Sequence, residues 1–226
     1  THMKHLFHLV LALLAISTST LAQKKIELGI VVRPASTTVR GNENLNDFTS
    51  VVKWSYGLQA IYGLGKKTAI HATLLYDLKG AYQSSTMIYS DDMDNTFTAN
   101  IDLNTDFTYI TLPLLFRGEI GSTFKLEYGV GFYVSYLLEQ RTKTKVTIPT
   151  DTFVTDEEGS DQFKTLDGGA SASIGIAIPL SDSFHLRAGL DGNFGLIDAP
   201  EKSYLGSSLF HQSLGLNCSL SYRFWH

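Results

Sequence analysis

Strict two-residue alternation constrains this chain more than any other feature. It is clearest in Thr108 to Gln140, TYITLPLLFRGEIGSTFKLEYGVGFYVSYLLEQ. Side chains of a β-strand point alternately to its two faces, so a period of two sorts residues by face and excludes an amphipathic helix. After Gly121-Ser122-Thr123, one face collects Phe124, Leu126, Tyr128, Val130, Phe132, Val134, Tyr136 and Leu138. The other collects Lys125, Glu127, Gly129, Gly131, Tyr133, Ser135 and Glu139. Before the turn, Ile110, Leu112, Leu114, Phe116, Gly118 and Ile120 share the apolar face, opposite Thr111, Pro113, Leu115, Arg117 and Glu119. Two such runs across a tight turn predict a β-hairpin.

The same plan repeats along the chain and predicts eight strands: 24 to 40, 51 to 64, 68 to 90, 107 to 120, 124 to 148, 168 to 180, 184 to 199 and 209 to 225. Connections alternate between three-residue turns (65 to 67, 121 to 123, 181 to 183) and longer polar segments (41 to 50, 91 to 106, 149 to 167, 200 to 208). Short turns on one side and long loops on the other, with an even strand number, are the pattern of an antiparallel up-and-down transmembrane β-barrel whose termini share the periplasmic side. Aromatic residues concentrate near the turn ends (Tyr62, Phe116, Phe124, Phe184, Phe224) and again nearer the loops (Trp54, Tyr56, Tyr82, Tyr136, Phe194), as two membrane interfaces select.

The competing arrangement is an exported soluble barrel with the apolar face inside. The polar face argues against it, because it carries Gly29, Gly57, Gly63, Gly129, Gly131, Gly175, Gly189, Gly195 and Gly215. Glycine weakens a solvated strand face, whereas the narrow interior of an eight-stranded barrel requires small residues. The polar face is therefore expected inside.

Thr1-His2 ahead of Met3 reads as a vector remnant. Lys4, the apolar run Leu6 to Ile16 and the small residues up to Ala22 read as a signal peptide, too short to span a bilayer, leaving residues 23–226 as the barrel. Cys218 is the sole cysteine, so no internal disulfide supports the fold. The whole chain carries 18 basic and 22 acidic residues. Without Lys4 the mature part keeps 17 against 22, a net charge of −5, which argues against a nucleic-acid partner.

The residues ITLPLLFR, a tight turn and LEYGVGFYVSYLL resemble the PorT-like small outer-membrane β-barrels of Bacteroidetes, the outer membrane protein beta-barrel domain family. The resemblance implies an eight-stranded barrel exported to the outer membrane, with outer-membrane lipid and lipopolysaccharide around it; it implies no single activity. An accessory role in an envelope protein-secretion system is one possibility it raises. The terminal Tyr222-Arg223-Phe224-Trp225 resembles the aromatic signal read by the barrel-assembly machinery, although His226 follows it.

Two groups of charged residues are candidates for function. Lumen-facing positions carry Glu27, Arg117, Glu119, Lys125, Glu127, Arg187, Asp191 and Arg223, joined by Lys25, Arg33, Lys53, Asp77, Lys79, Glu139 and Arg141. Around a three-residue turn Ile120 faces Phe124, which sets Glu119 against Lys125, Arg117 against Glu127 and Pro113 against Gly131. Matched signs favour an internal salt-bridge plug over a substrate path. Pro113 cannot donate to the ladder, so a local irregularity is expected there.

The second group is the extracellular rim. Strands 68 to 90 and 124 to 148 exceed what a membrane crossing requires, so a raised sheet edge is expected, able to bind a surface partner. Its tips are read as acidic loops, with Asp91, Asp92, Asp94, Asp102 and Asp106 in one and Asp151, Asp156, Glu157, Glu158, Asp161 and Asp167 in the other. Arg141, Lys143 and Lys145 form a basic ladder suited to holding an acidic loop or receiving an anionic partner.

No cofactor or metal site is expected. The DDMDN segment lacks the glycine and glutamate of an EF-hand, leaving at most weak divalent binding. Catalysis has one sketch, a mouth hydrolase built from His211, Ser207, Ser208 and Asp198, and no motif supports it. The reading is a non-enzymatic barrel that is structural, surface-binding, or both.

Overall fold

The computed structural model describes residues 26–41, 48–90, 96–122, 124–200 and 208–224. The expected signal peptide lies outside them, as do Lys25, Asp91, Asp92, Asp94, Ser207, Trp225 and His226. Among the described residues ten strands form one antiparallel sheet: β1 (Ile26–Arg40), β2 (Phe48–Thr49), β3 (Val51–Gly63), β4 (Thr68–Ser90), β5 (Thr96–Ile120), β6 (Lys125–Ile148), β7 (Asp151–Glu158), β8 (Leu166–Pro179), β9 (Phe184–Gly195) and β10 (Phe210–Phe224). Eight of them close a ring in the order β1, β3, β4, β5, β6, β8, β9, β10, with β10 returning to β1 through Ile26 opposite Phe224. The fold is thus the eight-stranded antiparallel barrel, with β2 and β7 added outside the ring.

Its hydrophobic surface faces outward. Val130 is 64 % exposed and Phe132 54 %, while Glu127, Tyr133 and Ser135 on the other face of the same strand are buried. Leu28, Ile30, Leu58, Leu74, Leu112, Ile174, Leu190 and Leu216 extend the same exposed band around the ring. In water such a surface would aggregate; in lipid it is the solvent-matched face.

The glycines divide into two kinds. A Cβ on Gly57 would lie 1.9 Å from the Leu74 carbonyl oxygen, and one on Gly131 would lie 2.0 Å from that of Leu114. At these positions the neighbouring strand's backbone, coiled tightly by the small barrel, excludes a side chain. Only some glycines spare lumen space in the sense expected from sequence: a Cβ on Gly215 would meet Arg33 Nε at 2.9 Å.

Three features differ from the sequence expectation. Segment 96 to 106 is strand, because β5 begins at Thr96 and pairs with β4 as far as Ser90. Segment 151 to 158 is also strand, β7, folded back on β6. The β5–β6 turn is wider than three residues: Ile120 faces Leu126, so Glu119 faces Glu127, Arg117 faces Gly129 and Pro113 faces Tyr133. Pro113 sits in regular register, and the irregularity lies at Thr108/Tyr109, where Leu138 is the extra residue on β6.

That bulge flips the faces of β6. Below it odd-numbered residues point inward; above it Gln140 is buried, whereas the Arg141 side chain is 55 % exposed. Glu139 and Arg141 therefore leave the lumen, where sequence parity had placed them.

Candidate functional site

Within the lumen, charged side chains from different strands meet in two tiers. In the tier near the turns, Glu27 from β1 binds Arg187 from β9 and Arg223 from β10, the latter at 2.6 Å. Arg117 Nη2 reaches Glu127 Oε1 at 2.7 Å, and Arg187 Nε lies 3.3 Å from Glu127 Oε2. Lys125 and Glu119 pair at 2.7 Å nearer the opening at the short turns. Arg117–Glu127 and Glu119–Lys125 thus form although neither pair is directly opposed; each reaches diagonally across the wider turn.

The second tier lies toward the loops. Arg33, 1 % exposed, contacts Asp191 and Ser213 and approaches Asp77 at 3.8 Å. Asp77 also accepts hydrogen bonds from Ser55 (2.6 Å) and Thr111 (2.9 Å). Lys79 Nζ donates to Asp167 at 3.0 Å and rests 4.6 Å from the Tyr109 ring centroid and 5.0 Å from that of Tyr133. Asp167 is therefore a lumen residue and not a loop-tip acid. A void of about 60 Å³, lined by His71, Ser173 and Ser219 among others, separates the tiers.

Among the described residues the signs balance across the two tiers. Arg117, Lys125, Arg187, Arg223, Arg33 and Lys79 stand against Glu27, Glu119, Glu127, Asp77, Asp167 and Asp191. Charges removed from water are tolerable only with such partners, and matched pairs fill the lumen with rigid side chains. Above them Phe107, Tyr109 and Leu137 form a buried apolar cap against which Phe163 packs.

Ser207 of the hydrolase sketch lies outside the described residues, and its His211 and Asp198 are engaged by other groups. His211 Nε2 lies 3.0 Å from the Tyr109 hydroxyl, with the Phe107 ring edge-on at 4.7 Å. Asp198 instead accepts the Leu209 N–H at 2.8 Å. Among the described residues no group of three His, Cys, Asp or Glu side chains forms a metal-binding cluster.

Beyond the apolar band, β4, β5, β6 and β7 rise as a four-stranded sheet. β4, β5 and β6 have 23, 25 and 24 residues against 12 to 15 in the other ring strands, an excess of roughly 30 Å along the strand. In this extension the faces exchange character. The outward face carries Ser84, Asp102, Asn104, Asp106, Lys143 and Lys145; the inward face carries Ala81, Ala99, Ile101, Leu103 and Val146. The outward polarity indicates water around this part of the sheet.

The basic ladder lies between two acidic strands. Arg141 faces Asp106 and Glu158, Lys143 faces Asn104 and Asp156, and Lys145 faces Asp102 and Val154. Lys143 approaches Asp156 at 3.6 Å, and Lys53 holds Asp106 at 2.6 Å. The ladder thus stands in register with acidic residues on both neighbouring strands, the first of the two roles expected for it. The Tyr82 hydroxyl donates to Asp102 at 2.6 Å and Ser84 donates at 2.8 Å, which hold the Asp102 carboxyl below the usual carboxylate range.

Solved structures with similar folds include OprG of Pseudomonas aeruginosa (13 % identity, TM-score 0.45, 90 % of this chain and 96 % of that one). Neisserial surface protein A (10 %, 0.42, 87 % and 97 %) and Ail of Yersinia pestis (10 %, 0.40, 88 % and 99 %) are similar too. The outer-membrane protease OmpT of Escherichia coli also resembles it (11 %, 0.39, 92 % and 100 %). No curated protein matches the chain. The model of the "Outer membrane protein beta-barrel domain" matches residues 21–200. With its lipid-facing apolar band, the chain belongs to this outer-membrane β-barrel family and resides in the outer membrane.

Proposed function

We propose that this protein is a non-enzymatic barrel with a plugged lumen, and that what it does beyond occupying the membrane resides in its raised sheet. The observation that carries the reading is the exchange of faces in β4 to β7: sheet built this far beyond the membrane, polar outside, serves no purpose in crossing it. The balanced lumen charges support closure, and the engagement of His211 by Tyr109 and of Asp198 by the Leu209 N–H argues against hydrolysis at the mouth. An accessory role in secretion, which the PorT-like resemblance raises, would need a periplasmic contact surface. The turns on that side, 64–67, 121–124 and 180–183, are short.

The test shortens the sheet without disturbing its register. Joining Ser84 to Asp102 and Lys143 to Asp156 through tight turns cuts between residues that face each other and spares Asp167. The shortened barrel should insert and keep its heat-modifiable mobility while surface binding or adhesion by cells displaying it is lost. Unchanged adhesion would make the sheet passive.

A further inference from the structure

We infer that the exposed edge of β7 is a docking edge for an extended polypeptide segment of defined charge order, added as a further antiparallel strand. The inference rests on the surface-binding reading above and names its partner class. All eight residues of β7, Asp151 to Glu158, are exposed, and among the described residues β7 pairs only with β6. Apart from the Thr152 N–H, which donates to Asp151 Oδ1 at 2.7 Å, its backbone donors and acceptors away from β6 are thus available to a strand from outside.

The side chains prescribe the partner. β6 already shows what pairs with β7: Arg141 stands opposite Glu158 and Lys143 opposite Asp156 on the outward face, while Val146 stands opposite Phe153 on the inward face. β7 carries four acidic residues and no basic one, and neither Asp151 nor Glu157 has a basic partner among the described residues. A strand on the free edge therefore meets Glu158, Glu157 and Asp156 in succession, then Thr155, then Val154 and Phe153, then Thr152 and Asp151. Favourable cross-strand pairs require three consecutive basic residues, a polar one, two apolar ones, a polar one and a last basic one. The apolar residue opposite Phe153 would extend the row Ile101, Val146, Phe153 on the inward face. A second copy does not fit, because antiparallel self-pairing of these edges sets Asp151 against Glu158.

The full chain, folded into phosphocholine vesicles, would be titrated with a fluorescent peptide of sequence Lys-Arg-Lys-Thr-Val-Val-Thr-Lys. A second peptide of equal charge has its two valines replaced by proline, which cannot extend a strand. The first peptide should bind at least about tenfold more tightly than the second, and its isotope-labelled amide band should move to the strand position. Glu157→Lys, an exposed change judged folded by gel mobility, should weaken the first peptide about tenfold. Equal binding of both peptides would reduce the edge to an ionic surface, and binding of neither would overturn the inference. If cells lose adhesion on shortening of the sheet yet neither peptide binds, the surface-binding reading stands and the strand-docking inference alone fails.

Discussion

At the level of single residues, Glu27 and Glu127 hold three arginines between them, and their contribution lies in what their loss would strand. Glu127→Leu alone should cost about 3 to 5 kcal/mol, because it leaves the buried Arg117 without its carboxylate, and Arg117→Leu should cost less, because Glu127 keeps Arg187. The double variant should cost less than the sum, with a coupling of about 0.5 to 3 kcal/mol in a cycle measured by urea unfolding in vesicles. Additive costs would mean that the pair does not function as one. The glycines give a second contrast. Gly131→Ala drives a methyl against the Leu114 carbonyl and should cost about 1 to 3 kcal/mol, whereas Gly215→Ala meets only the Arg33 side chain and should cost less. The reverse order in the same unfolding assay would refute the backbone-crowding explanation.

Individual strands show where local pattern informs and where it misleads. The band on β6 was readable because Leu126 to Leu138 alternate without a break, and Val130→Arg, which sets a charge among lipid chains, should cost about 2 to 4 kcal/mol near the midplane. Unchanged folding into bilayers would reverse the assignment of faces. The upper half of β5 also alternates, Phe97, Ala99, Ile101 and Leu103 against Thr98, Asn100 and Asp102, but its aspartates and asparagines resemble loop chemistry. β7 is half acidic and reads as a solvated tip; its strand state depends on the basic residues of β6 opposite it, a tertiary relation that propensity does not contain. The bulge at Leu138 leaves no mark in composition, and it alone moved Glu139 and Arg141 from lumen to exterior. The raised sheet should also respond to acid. Asp102 has a carboxyl pKa lowered from 3.8 chiefly by the Tyr82 hydrogen bond, so its contribution is present above that value and is lost as pH falls through the lowered folded-state pKa. Amide protection in 82–84 and 100–104, referred to the intrinsic exchange rate at each pH, should fall below about pH 4, and Tyr82→Phe should abolish that fall; an unchanged profile in the variant would exclude Asp102 as its source.

For the whole molecule, the proposed function has charge balance and an apolar cap close the lumen and assigns surface binding to the sheet beyond the apolar band. The opposite-charge lumen pairs were legible from residue type, even with the turn register two residues off, because long side chains reach diagonal neighbours. Arg33, Asp77, Lys79 and Asp191 were legible as lumen residues too; what pattern did not disclose was Asp167 and the pairings of this upper tier, which joins β1, β3, β4, β5, β8, β9 and β10 across the barrel. The most direct test of the closed barrel is single-channel current across a planar bilayer holding the purified full chain. The account predicts no steady conductance at neutral pH, with Arg33, Lys79 and their carboxylate partners in place. Steady ohmic conductance on the nanosiemens scale from the unmodified protein would contradict it.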